Sequence, residues 1–297
     1  MDNLHWIERW LDHLAAERGL SGHTLNHYRH DALLLDHHSR DTPFDTLHDH
    51  DLRRILASLH QQGLSGRSLA RMLSAWRNLF RFLMRRHGFP RNPCDGLRPP
   101  RHPQPLPHSL SVDQTFALLE PAPRADDPLA TRDQAMFELL YSCGLRLSEL
   151  ARLTLTQLDL AQGELRVIGK GNKTRIVPIG RLALEALARW LALRGSQSGD
   201  WLFPGRNPQR PITGRAIELR LARRAVLAAS GQPVHPHMLR HAFASHLLQS
   251  SGDLRAVQEL LGHARISSTQ IYTRLDFQHL ARVYDQAHPR ARKKPAP

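Results

Sequence analysis

The sequence predicts a mainly α protein of two domains, the second carrying a small β-sheet. Three observations lead there. At 297 residues the chain suits two cores of ordinary size better than one. Seven prolines fall between Pro90 and Pro107, which forbids a continuous helix and favours extended chain, so residues 89–110 read as a linker. On either side apolar residues recur at helical spacing, except over GELRVIGKGNKTRIVPIG, residues 163–180, where two β-prone runs flank a turn composition. The expected organisation is a helical domain over 1–88, the linker over 89–110, a second domain over 111–288 and a basic tail over 289–297.

In chain order, Leu4, Ile7, Leu11 and Leu14 mark a first helix and Thr24 to Leu35 a second. A third lies in SGRSLARMLSAWRNLFRFLMRR, where Leu69, Met72, Leu73, Trp76, Leu79, Phe80 and Leu83 cluster on one side. On the other side Arg67, Arg71, Ser74, Asn78, Arg81 and Arg85 fall within a strip roughly 80° wide at about 100° per residue. After the linker, Ser111 and Gln114 form a capping box. Thr131 opens TRDQAMFELLYSCG and Gly144 closes it, with Ser148 a candidate cap for the next helix. The 163–180 segment is a hairpin that places Lys170 in its turn. Further helices are expected at 181–194, 215–229, 237–249, 254–261 and 277–287.

Charge narrows the function classes. Lys and Arg outnumber Asp and Glu by 41 to 27 and the formal net charge is +14, which suits a polyanionic partner. The charge is concentrated: Arg67 to Arg101 holds nine arginines against the single acid Asp95. An acid-free stripe of arginine and amide is what phosphate contact and base-edge reading both require. No apolar run approaches the roughly 20 residues of a membrane span, and the amphipathic start MDNLHWIERWLDHL does not resemble a signal peptide; a cytoplasmic setting is expected. With only Cys94 and Cys143, neither a disulfide framework nor a thiolate zinc site is expected. His23, His27 and His30 lack a Cys or carboxylate in a ligating pattern, so no metal is assigned to them.

Several residues stand out in the second half, each with an ordinary explanation when taken alone. In PHMLRHAFASHLL, His237 and Arg240 share a helix face near its N-terminus, as many solvated pairs do. Arg146, in GLRLSEL, reads equally as a capping arginine, Lys170 as a solubilising turn residue and Tyr272 as a half-buried tyrosine.

Their order changes that reading. GLRLSEL, a lysine in a β-turn, HMLRH, LGH and the tyrosine of STQIYTRL follow one another in the pattern Arg, Lys, His-x-x-Arg, His, Tyr. In this the chain resembles the tyrosine recombinase (phage integrase) family, Xer type, over nearly its whole length, including an N-terminal LSGHTLNHYRHDALLL. The resemblance implies a two-domain DNA clamp with an N-terminal core-binding domain and a C-terminal catalytic domain, and site-specific recombination through a 3′-phosphotyrosyl intermediate. It implies Tyr272 as nucleophile, with Arg146, Arg240 and His263 gripping the scissile phosphate. Lys170 supplies a proton to the leaving 5′-oxygen, Lys173 being the rival, and His237 assists proton transfer at the tyrosine. A partner Xer recombinase in a heterotetramer, a short pseudo-palindromic site and a septal DNA translocase belong to the same implication, as does docking of residues 276–287 on a neighbouring protomer. The phosphate bond energy is conserved in the phosphotyrosine, so no cofactor, metal or ATP is expected, in accord with the lack of G-x-x-x-x-G-K-[ST]. The alternatives are a phage-type integrase, a type IB topoisomerase-like enzyme, and a non-catalytic helix-turn-helix regulator using DLRAVQELLGHARISSTQIYTRL.

Overall fold

The computed structural model describes residues 2–20, 22–40, 42–99, 110–120, 127–169, 174–195, 199–228, 232–262 and 274–291, the backbone only at 23 and 274–279. The chain divides into two compact units, Met1–Leu106 and Pro107–Pro297.

The first unit is built from α1 (Asn3–Ala16), α2 (Gly22–Ser39), α3 (Asp49–Gln61) and α4 (Gly66–His87). The side chain of Asp2 caps α1, that of Ser65 caps α4, and Gly88 ends α4 in the left-handed region at φ 69°, where a side chain would be strained. The apolar face expected of α4 is fully inside: Leu69, Leu73, Trp76, Leu79, Phe80 and Leu83 are all at 0% exposure. On α1 the buried set is Asn3, Ile7, Trp10, Leu11 and Leu14, whereas Leu4 points outward. Asn3 can be inside because its amide donates to Asp36 Oδ1 (2.9 Å) and the Thr42 carbonyl (3.0 Å), and its own oxygen accepts from Phe44 N (3.0 Å). The beginning of the proline-rich stretch packs on this unit too. Cys94 and Leu97 are buried, and the Arg77 guanidinium donates to both their carbonyls.

The second unit holds α5 (Val112–Leu119), α6 (Pro128–Ser142), α7 (Leu147–Ala151), a 3₁₀ turn (Leu155–Gln157), β1 (Leu158–Asp159), β2 (Glu164–Ile168), β3 (Thr174–Pro178), α8 (Arg181–Arg194), α9 (Gly214–Leu227), α10 (Pro236–Ser251), α11 (Leu254–Leu261) and α12 (Arg274–Ala287). α5 carries the expected capping box of Ser111 and Gln114. α6 starts earlier than Thr131. Asp127 caps it, accepting from Leu129 N (2.8 Å), with proline at the first helical position, and the Thr131 hydroxyl donates back to the Asp127 carbonyl. α6 is the central helix, buried from Asp133 to Ser142. The sheet is antiparallel in the order β1-β2-β3; Leu165 faces Val177 and Val167 faces Arg175. The register pairs Ile168 with Thr174, leaving residues 169–173 between the strands.

α12 packs within its own unit, against α10 and β3. The cause is the burial of Leu280 and Tyr284, at 2% and 1% exposure. The Tyr284 hydroxyl meets Ser142 Oγ at 2.6 Å, and the His288 ring stacks on Tyr284. Beyond the helix the buried Arg290 pairs with the equally buried Glu138 of α6, so the start of the basic tail is part of the core. Among the described residues no helix is long and apolar enough to cross a membrane.

Candidate active site

Arg146 is placed by the turn that ends α6. Gly144 takes φ +57°, and a Cβ there would lie 2.5 Å from the Phe243 ring, so the sharp reversal into α7 depends on glycine twice over, for conformation and for space. Gly144→Ala is expected to lower stability by about 2–4 kcal/mol, combining left-handed strain with overpacking, and denaturant unfolding measures it. Arg146 then precedes α7. The acid three residues on, Glu149, caps that helix in place of Ser148: Arg146 N donates to Glu149 Oε2 (2.8 Å) and the Arg146 guanidinium to Oε1 (2.8 Å).

Glu149 has a second partner. Arg175, the inward residue of β3, forms a two-pronged pair with it, each oxygen accepting one bond at 2.9 Å, and its Nε donates to the Leu260 carbonyl (2.9 Å). Burial alone would push the Glu149 carboxyl up; the hydrogen bonds and charge of Arg175, joined by Arg146, outweigh it and hold the group at about 2. Neither Glu149 nor Arg175 stood out in the sequence. The available signals were an acid three residues after Arg146 and an arginine at an inward strand position, which requires a buried anion.

Arg240, in the second turn of α10, is 6% exposed. It donates to the Gly144 carbonyl and, at 2.7 Å, to the Leu261 carbonyl, so it ties the turn before Arg146 to the end of α11. These two bonds use two of its five N–H donors. Burial pulls its guanidinium down to about 10, with the adjacent positive charge of Arg146 acting in the same direction. It remains charged at neutral pH. The structure thus brings Arg146, Arg175 and Arg240 around one carboxylate, leaving an excess of two positive charges. Such a cluster is complementary to an anion with planar oxygens, and guanidinium forks suit it geometrically.

His237 lies one turn before Arg240 on the same helix and is exposed. Desolvation, then the His241 and His235 rings, hold it below the ordinary histidine value; the His241 ring centroid is 4.2 Å away. Lys170, its rival Lys173, His263 and Tyr272 lie outside the described residues. The described stretch that carries α11 ends at Gly262, where a Cβ would be 3.1 Å from Arg175 Cδ.

The α4 stripe divides in two. Arg67, Arg81 and Arg85 are exposed. Arg71 instead pairs with the fully buried Asp31 of α2, and the Asn78 side-chain oxygen accepts from Trp10 Nε1 (2.9 Å).

Two family models match the chain, the phage integrase family over residues 108–279 and the phage integrase N-terminal SAM-like domain over 7–87. Tyrosine recombinase XerC of Azotobacter vinelandii is 54% identical over 293 residues, covering 97% of each chain. Tyrosine recombinase XerC of Chromobacterium violaceum is 52% identical, covering 98% of this chain and 97% of that one. Among solved structures, XerA recombinase is 30% identical with a TM-score of 0.50, over 97% of this chain and 100% of that one. XerH bound to a palindromic difH substrate, in a post-cleavage complex, is 21% identical with a TM-score of 0.74 over 95% of each chain, a likeness of fold. With matches to both domains and a half-identical sequence over almost its full length, the chain belongs to the phage integrase family, as a tyrosine recombinase of the Xer type.

Proposed function

We propose that this recombinase cuts and rejoins DNA at a specific site with Tyr272 as nucleophile, and that Arg146 and Arg240 hold the scissile phosphate. The observation that carries the reading is the excess of positive charge around Glu149, with Arg146 only half-buried, its side chain 38% exposed. The Tyr272 phenol oxygen attacks phosphorus, the bond from phosphorus to the 5′-oxygen breaks, and a 3′-phosphotyrosine forms. Negative charge grows on the non-bridging oxygens, where each guanidinium donor is worth about 3 kcal/mol of barrier. His263 adds a further donor; it directly follows Gly262, which packs on Arg175. His237, held below its ordinary value and hence neutral at pH 7, accepts the phenol proton. Lys170 gives the departing 5′-oxygen its proton. Attack by a 5′-hydroxyl of the partner duplex reverses the step and exchanges strands, with no net change in bond type and so no call for ATP.

The other two tyrosines of the second unit support the choice of Tyr272. Tyr141 is buried and hydrogen-bonded to His246 Nδ1 (2.9 Å), Tyr284 is buried against Ser142, and burial raises both phenols well above their ordinary value. The likeness to XerC supports a wider setting: cytoplasmic action on chromosome dimers, in a heterotetramer with a partner recombinase of XerD type on a short pseudo-palindromic site, stimulated by a septal DNA translocase. The stripe of Arg67, Arg71, Asn78, Arg81 and Arg85 on α4 would be the DNA-facing side of the first unit.

A nicked suicide duplex cut from genomic DNA carrying the recombination site tests the chemistry. The wild-type chain is expected to give an SDS-resistant protein–DNA adduct and Tyr272→Phe none. An adduct that survives the substitution would mean that another residue attacks, and no adduct with either protein would favour a regulator that only binds.

A further inference from the structure

We propose that Arg71 is the sequence-reading residue of α4, its guanidinium held from beneath by the buried carboxylate of Asp31 so that the fork meets a guanine edge. The inference rests on α4 being the DNA-facing helix of the first unit, and it separates that helix's arginines by task.

Arg67, Arg81 and Arg85 are exposed and have no ion pair among the described residues, which suits them to neutralise phosphates. Arg71 differs. Its side chain is 43% exposed while that of Asp31 is at 0%, so one edge of the guanidinium is fixed inside and the other is open. Asp31 is itself immobilised, because its carbonyl accepts the Trp76 indole N–H at 2.7 Å and locks α2 onto α4. The second carboxylate oxygen, Oδ1, is buried with no hydrogen-bond partner. For stability alone such a carboxylate is poorly placed, since a buried pair is often no better than an apolar replacement. It also offsets part of the Arg71 charge, which weakens attraction to a phosphate but leaves the fork geometry intact. Two parallel N–H donors held in a fixed orientation match the O6 and N7 acceptors that guanine presents in the major groove.

Asn78, two turns on and on the same face, is restricted in a consistent way. Indole N–H is only a donor, so the oxygen of Asn78 must face Trp10, as it does at 2.9 Å, and the amide N–H₂ is left to point elsewhere. With its oxygen turned toward Trp10, Asn78 is poorly oriented to present donor and acceptor side by side to an adenine edge. Arg71 and Asn78 therefore both turn donors outward, which suits the acceptor edge of a guanine, while the exposed Ser74 hydroxyl between them can donate or accept.

The test selects duplexes from a randomised pool with the full chain, then compares the preferred duplex with one changed at a single position and with a random-sequence duplex. The wild-type chain is expected to select a guanine at one position of its half-site. Arg71→Lys, which keeps the charge and loses the fork, should cut the preference at that position by roughly 5- to 150-fold while lowering random-duplex affinity by less than that factor. Asp31→Asn should do the same, and the lysine variant, altered only at a half-exposed side chain, decides the matter if the asparagine variant is unstable. Arg67→Ala and Arg85→Ala should weaken all duplexes evenly and each reduce the salt slope by up to about one. If Arg71→Lys leaves the preference intact, or lowers every duplex equally, the proposal fails while the DNA-facing reading of α4 stands. If Arg67→Ala and Arg85→Ala also leave binding unchanged, that reading fails with it.

Discussion

Arg240→Ala is expected to lower single-turnover cleavage of a suicide duplex by roughly 10²–10³ or more while leaving duplex affinity within about tenfold. Charge on the non-bridging oxygens builds as phosphorus is attacked, so a donor aimed at them favours the transition state over the bound ground state. Arg240 also has a structural task. Its bonds to the Gly144 and Leu261 carbonyls hold the Arg146 turn and the end of α11 together, and alanine leaves two carbonyls short of a partner at about 1–3 kcal/mol each where they are buried. Arg240→Lys separates the two contributions: it keeps a charge but cannot span both carbonyls and a phosphate oxygen. Its cleavage rate should fall between those of the wild-type and alanine forms. Gel shift and rapid-quench cleavage on the same duplex measure the pair of effects.

Glu149→Ala should lower stability by about 3–5 kcal/mol, because it leaves the guanidinium of Arg175, 5% exposed, buried without its counter-charge. It also frees Arg146, so the surviving folded protein should cleave more slowly at unchanged pH dependence near neutrality. Glu149→Gln should cost less, since an amide oxygen still accepts from one arginine. The sign of the pH effect follows from the depressed carboxyl. Held at about 2 against an ordinary 4.5, Glu149 contributes its full stabilisation above about pH 4.5 and loses it progressively as pH falls from there through 2. Urea unfolding between pH 3 and pH 7 should therefore show a steeper acid loss for the wild type than for Glu149→Gln, by roughly 2 kcal/mol over that range.

How far these features were legible depends on the range of the interaction involved. α4 could be drawn from its sequence because its two faces are written at a single period, and every apolar residue assigned inward is buried. The hairpin of β2 and β3 was legible from a turn composition between alternating runs. β1, only two residues long, is too short to show any period. The start of α6 went to Asp127 over Thr131 because Asp-Pro combines a cap with a preset first helical residue. Leu4 and Asn3 exchanged sides because a buried asparagine is tolerable once Asp36, Thr42 and Phe44, distant in sequence, satisfy it. The same limit hid the machinery behind the arginines. Glu149 and Arg175 are 26 residues apart and Asp31 and Arg71 are 40 apart, and no local pattern announces such pairs. Family order supplied Arg146, His237 and Arg240 as candidates; that a carboxylate and a third arginine stand behind them required the fold.

If these side chains serve one scissile phosphate attacked by Tyr272, the position of the covalent protein–DNA bond reports it. The wild-type adduct on a suicide duplex, digested with trypsin and nuclease, should yield the peptide ISSTQIYTR, residues 266–274, carrying a nucleotide on its tyrosine. A nucleotide on Ser267 or Ser268, or on a peptide containing any other tyrosine, would rule out Tyr272 as the nucleophile.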